Sequence, residues 1–76
     1  MNMNKKNLTK RERFKRLASK RTNRILKDLK ILGNCANRSV YDYTREDIAK
    51  IFSEIERKVK EVKAKFHFPQ EKEFKL

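Results

Sequence analysis

The stretch YTREDIAKIFSEIERKVKEVKAKF, residues 43–66, decides the fold of this 76-residue chain. Its main apolar residues follow one another at spacings of 4, 3, 4, 3 and 4, which is typical of one face of an α-helix. These residues are Ile48, Phe52, Ile55, Val59, Val62 and Phe66. Such a face suits packing along another helix, so the stretch predicts a helix with one partner-facing seam.

The start of this helix is marked by its own short motif. Thr44 is a good N-cap, and Asp47 stands at the third helical position, where it completes a capping box. Tyr43 and Ile48 flank the cap in the positions of a hydrophobic staple. Together with Pro69, which stops the helix, these residues predict a helix over 44–66.

A second helix is predicted upstream from the same kind of pattern. Its apolar stripe consists of Phe14, Ala18, Ile25, Leu29 and Leu32, with Leu17 and Leu26 on the flanks. Thr9 and Glu12 have the spacing of a capping box. Gly33 follows the last apolar position, where glycine closes helices by taking the left-handed conformation. The sequence therefore predicts a helix over 9–32.

The connection over 33–43 is short enough to return the second helix antiparallel to the first. The expected fold is all-α: a two-helix antiparallel hairpin over 9–66, with a flexible basic leader at 1–8 and a tail at 67–76. Two helices leave one side open, so we expect a homodimeric four-helix bundle or a protein partner that completes it. The predicted packing residues are Ile48, Ile51, Phe52, Ile55, Val59 and Val62.

Composition excludes several classes of site. The single cysteine, Cys35, forms no intramolecular disulfide, and one histidine is too few for a four-ligand zinc site within one chain. The sequence holds no glycine-rich phosphate loop and no carboxylate pair facing a cleft. We therefore expect no enzyme, no metal, no cofactor and no small-molecule substrate. Without an apolar run long enough for a membrane span or a signal peptide, we expect a soluble, cytoplasmic protein.

Charge is distributed unevenly along the chain. Twenty-two Lys and Arg against ten Asp and Glu give a net charge of +12, and the isoelectric point is about 10.2. Residues 1–32 hold twelve of the basic residues and two acids, whereas residues 33–76 hold ten and eight. The second helix carries four acid–base pairs in the stabilising i, i+4 order. These pairs are Glu46/Lys50, Glu54/Lys58, Glu56/Lys60 and Glu61/Lys65.

The first helix, in contrast, has a row of basic residues that no acid balances. Arg13, Arg16, Lys20, Arg24 and Lys27 advance by three or four residues and lie opposite the apolar stripe, over about 21 Å at 1.5 Å per residue. Phosphate backbones are the commonest anionic surface for such a row, and arginine grips them through its planar fork. The candidate nucleic-acid contacts are Arg11, Arg13, Arg16, Lys20, Arg24 and Lys27. Both DNA and RNA fit this pattern.

Other interpretations compete with this one. A basic helix is in many proteins only a solvated face. Tyr41 and Tyr43 could stack on unpaired bases, but a staple and a turn explain the segment better. Cys35 is expected to be a small residue of the connecting loop, and Arg21, on the flank of the apolar stripe, to serve packing.

The sequence also carries a pattern of the form LGN, then YxYT, then EDI. It consists of Leu32-Gly33-Asn34, Tyr41-Asp42-Tyr43-Thr44 and Glu46-Asp47-Ile48. Through this pattern the chain resembles small basic helical proteins of Gram-positive plasmids, phages and integrative elements. The resemblance extends from Phe14 to Phe66. The resemblance implies a mobile-element setting and brings no catalytic residue with it.

Three functions are consistent with this sequence, one of which is a purely structural component of a larger ribonucleoprotein; the other two are more specific. The first is a nucleic-acid-binding accessory or regulatory protein, dimeric through the second helix and gripping phosphates with the first. The alternative is a protein-docking inhibitor or adaptor that acts on a host or element nucleoprotein complex, such as a defence nuclease.

Overall fold

The structure is a computed structural model that describes residues 8–68 and 74–76. Within these ranges the chain forms helix α1 (Lys10–Gly33), a 3-10 turn (Asn34–Ala36) and helix α2 (Arg45–Lys63), with no strand. The all-α prediction is confirmed. The chain divides after Tyr41 into two units, one containing each helix, and their pairing as a hairpin stays a prediction. Most of the leader and residues 69–73 of the tail lie outside the described residues.

Both helices begin with the capping boxes that the sequence predicts. The hydroxyl of Thr9 accepts from the backbone N–H of Glu12 at 3.0 Å, and the Glu12 carboxylate accepts from the Thr9 N–H at 3.0 Å. Thr44 and Asp47 repeat this exchange at 3.0 and 2.9 Å. Each box satisfies two backbone donors that a helix start otherwise leaves to water. The local sequence alone therefore fixes both helix starts.

The end of α1 differs from the expectation for Gly33. This glycine keeps right-handed helical angles, with φ −59° and ψ −24°, and is the last residue of the helix rather than a left-handed stop. The backbone N–H of Asn34 donates to the carbonyls of Ile31 and Leu32. Because the 3-10 turn takes over these carbonyls, the helix end needs no left-handed residue.

Helix α2 ends at Lys63, three residues before the predicted end. The N–H of Lys65 donates to the Val62 carbonyl at 3.0 Å, and that of Phe66 to the Lys63 carbonyl at 3.1 Å. These i to i+3 bonds tighten the last turn, and the α-helix ends several residues before Pro69. Phe66 consequently lies beyond α2, and the helical seam runs from Ile48 to Val62.

The apolar faces of both helices are open. No described residue is buried, and the half-buried ones are Leu8, Leu17, Ala18, Leu32, Tyr43 and Ile55. On α2, Phe52 is 43% and Val59 58% exposed. Large apolar side chains left in water along one helix face are typical of a surface that another element covers.

Replacing Gly33 by alanine tests the right-handed helix end. A Cβ at this position meets nothing within 4 Å, and alanine loses less backbone freedom on folding than glycine does. We expect Gly33→Ala to stabilise α1 by about 0.4–1 kcal/mol, measured by thermal unfolding followed by circular dichroism. A destabilised variant would show that Gly33 takes the left-handed conformation in solution.

Candidate nucleic-acid interface

Four of the predicted contact residues form one basic row on α1. Arg16, Lys20, Arg24 and Lys27 are all exposed, and helical geometry places them within about 80° of the helix circumference. Each follows the previous one by three or four residues, so neighbouring side chains on this row are about one turn apart. We refer to these four residues as the basic row.

The basic row makes no contacts that would neutralise it. Among the described residues, none of its four side chains forms a hydrogen bond or an ion pair with another protein group. Arg13, one turn further towards the N-terminus, donates from Nη1 to the Leu8 carbonyl at 3.0 Å. Its guanidinium therefore tethers the start of α1 while it extends the row.

Arg11 lies apart from the basic row. Its guanidinium carbon lies 6.0 Å from the centroid of the Phe14 ring, at the outer limit of a cation–π contact. Since Phe14 belongs to the apolar stripe, Arg11 lies beside that stripe and away from Arg16 and Arg24.

Helix α2 forms ion pairs along its charged face, but among the described residues none of them is one of the four predicted pairs. Arg57 forms an ion pair with Glu54, and its Nη1 donates to Glu61 at 3.0 Å. Lys58 donates to Glu61 at 2.8 Å. The predicted pairs Glu54/Lys58 and Glu61/Lys65 overlooked Arg57, whose fork reaches carboxylates on both sides.

The pKa values of these groups follow from their partners. The hydrogen bond from Arg57 lowers the pKa of Glu54, and the charge of Lys58 adds to this effect. The same hydrogen bond raises the pKa of Arg57. At the start of α1, hydrogen bonds from the Thr9 backbone and hydroxyl lower the pKa of Glu12. Each of these contacts favours the charged form of its carboxylate.

The predicted packing residues lie together on α2. Ile48, Ile51, Phe52, Ile55, Val59 and Val62 occupy the face opposite Arg57, which is the centre of the ion-pair network. Ile55 is half-buried and the others are exposed. Helix α2 thus presents an apolar seam on one side and a balanced charged network on the other.

Residues 8–68 and 74–76 contain no cluster of three or more His, Cys, Asp or Glu side chains placed to hold a metal ion. Neither α1 nor α2 has the length and apolar character needed to cross a membrane. Cys35 is a free, exposed thiol in the 3-10 turn.

No protein-family model, no curated protein and no solved structure matches the chain. The chemistry of the two helix faces is accordingly the basis for a functional proposal.

The ion-pair network makes the helicity of α2 depend on pH. A carboxylate whose pKa is lowered in the folded helix stabilises it above its unfolded pKa, and this stabilisation is lost as pH falls through the lowered value. We expect helicity to fall when pH drops from neutral to below about 4, and to fall less in Glu54→Gln, which has no carboxylate to protonate there. Circular dichroism at both pH values measures the difference.

Glu56→Gln is the matched control, because Glu56 has no ion-pair partner among the described residues. It should retain the wild-type loss of helicity. An equal loss in Glu54→Gln and wild type would contradict the assigned network.

Proposed function

We propose that this chain is a small nucleic-acid-binding accessory or regulatory protein, of the kind that a mobile element encodes. The basic row of α1 contacts the phosphate backbone, and the seam of α2 joins two copies into a homodimer. The contrast between the two helices supports this proposal most directly. Among the described residues the basic row has no carboxylate partner, whereas Arg57 and Lys58 on α2 both have one.

Repulsion along α1 gives the physical reason. Like charges one turn apart destabilise a helix by about 0.2–0.5 kcal/mol a pair, and the basic row contains three such steps, 16/20, 20/24 and 24/27. On a phosphate backbone the same cations contribute favourably to the free energy of binding, because each neutralised phosphate releases condensed counterions. The row is therefore better suited to a bound polyanion than to water.

One further observation favours the alternative function. The seam of α2 is a ready surface for a partner helix, as in proteins that bind an amphipathic helix in a groove. A docking inhibitor or adaptor would bind a protein of a nucleoprotein complex through this seam and through the basic row. Co-purification of one protein that resists nuclease treatment, together with no affinity for free nucleic acid, would support this alternative.

Removing the basic row tests the proposed interface. We expect Arg16→Ala/Lys20→Ala/Arg24→Ala to bind nucleic acid more weakly at physiological salt. The slope of log K against log salt should fall by about 0.9 for each duplex phosphate that the variant leaves unneutralised. Fluorescence anisotropy across a salt series measures both quantities. Helicity should be retained, since alanine is the strongest helix former.

The matched control is Lys50→Ala/Lys60→Ala/Lys63→Ala, which removes the same charge from α2 and leaves Arg57 and Lys58 in place. Its affinity should stay closer to wild type than that of the α1 variant. Equal reductions in affinity for the two triple variants would mean that net charge alone governs binding, and would contradict an interface on α1.

A charge placed in the seam tests the dimer. We expect the wild-type chain to have twice its 9.2 kDa mass in solution, and Val59→Asp to shift the equilibrium towards monomers because a carboxylate is costly to bury. Analytical ultracentrifugation over a concentration series gives both masses. Ser53→Asp adds the same charge away from the seam and should leave the dimer intact. A monomeric wild type would contradict the proposed dimer.

A further inference from the structure

We infer that the polar face of α1 enters the major groove of duplex DNA and that Asn23 reads a base edge there, preferentially adenine. This inference rests on the proposed nucleic-acid binding and specifies its partner. It adds a residue that selects sequence to the residues that contact phosphates.

Asn23 lies beside the basic row of α1, about 20° around the helix from Arg16. Helical geometry places Ser19 one turn before it and Lys27 one turn after it, with Arg16 and Lys30 two turns away, all within about 40° of its direction. This face is opposite the apolar stripe that contains Phe14, so its residues project away from the packing side. An uncharged amide is therefore surrounded by cations that would hold a phosphate backbone around it.

The side chain of Asn23 has no structural role among the described residues. Asparagine is a poor helix former and belongs at caps and turns, as Asn37 shows by accepting the Ser39 N–H through its side chain at 3.0 Å. Asn23 instead stands in the middle of the 24-residue helix α1. It is exposed, and its amide has no hydrogen-bond partner among the described residues. The amide offers one acceptor and two donors, the set that pairs with N6 and N7 of adenine.

Duplex DNA fits this face better than the other nucleic acids. An α-helix with side chains is about 10–12 Å wide and enters the DNA major groove, which is about 12 Å wide. The major groove of A-form RNA is too deep and narrow for side chains to read. Single strands are usually held by aromatic platforms, but the aromatic side chain of α1, Phe14, lies on the opposite face beneath Arg11.

Selection from a random duplex DNA pool tests the inference, with wild type, Asn23→Ala and the control Thr22→Ala compared side by side. Thr22 is uncharged and lies about 100° away around the helix. We expect wild type and Thr22→Ala to enrich a motif with an adenine that Asn23→Ala does not enrich. On the selected duplex, Asn23→Ala should bind roughly ten-fold more weakly, with an unchanged salt slope. Duplex RNA of equal length should bind wild type more weakly than the DNA pool.

Three results would overturn the inference. Wild type and Asn23→Ala could enrich the same sequences, wild type could enrich none, or duplex RNA or single strands could bind at least as tightly as duplex DNA. In each case salt-dependent binding that is weakened in the Arg16, Lys20 and Arg24 alanine variant would leave the proposed function standing. No binding to any nucleic acid would overturn both.

Discussion

Repulsion between like charges along α1 is the physical constraint that distinguishes this helix from α2. Arg16, Lys20, Arg24 and Lys27 follow one another at one-turn intervals with no acid among them. In water and at physiological salt, each interaction is weakened by solvent and by a screening length of about 8 Å. The helix therefore tolerates the row, and its capping box at Thr9 and Glu12 supports its start. The positive potential that accumulates along the row is the basis of the proposed binding to a polyanion.

Helix α2, in contrast to α1, pairs some of its cations with carboxylates of the same helix. Its ion pairs among Glu54, Arg57, Lys58 and Glu61 neutralise its charges locally, so that α2 adds little to the repulsion within the chain. Its other face carries the seam, where burying each large apolar side chain contributes about 1.5–3 kcal/mol. A chain of 76 residues buries little surface alone. The proposed dimer would bury this seam, and it would also double the number of basic rows.

Local signals in the sequence predicted the helices and their starts. Capping boxes are short-range motifs, so Thr9 and Thr44 could be assigned without any tertiary information. The helix ends were harder to predict from Pro69 and Gly33. Backbone i to i+3 bonds after Lys63 and a 3-10 turn after Gly33 decide where the two helices end. Residue spacing also predicted the basic row. It missed the role of Arg57 because the predicted pairs considered only lysine. Arg11, a predicted contact outside the row, lies beside Phe14 of the apolar stripe.

Binding of the purified, nuclease-treated wild-type protein to duplex DNA across a salt series, with the solution mass measured on the same sample, tests the central claim most directly. We expect a dimer whose affinity falls steeply with salt, with a slope that corresponds to several phosphate contacts, each contributing about 0.9. A protein with no affinity for duplex DNA, single strands or structured RNA at physiological salt would contradict this claim. The basic row would then be a surface for an acidic protein partner.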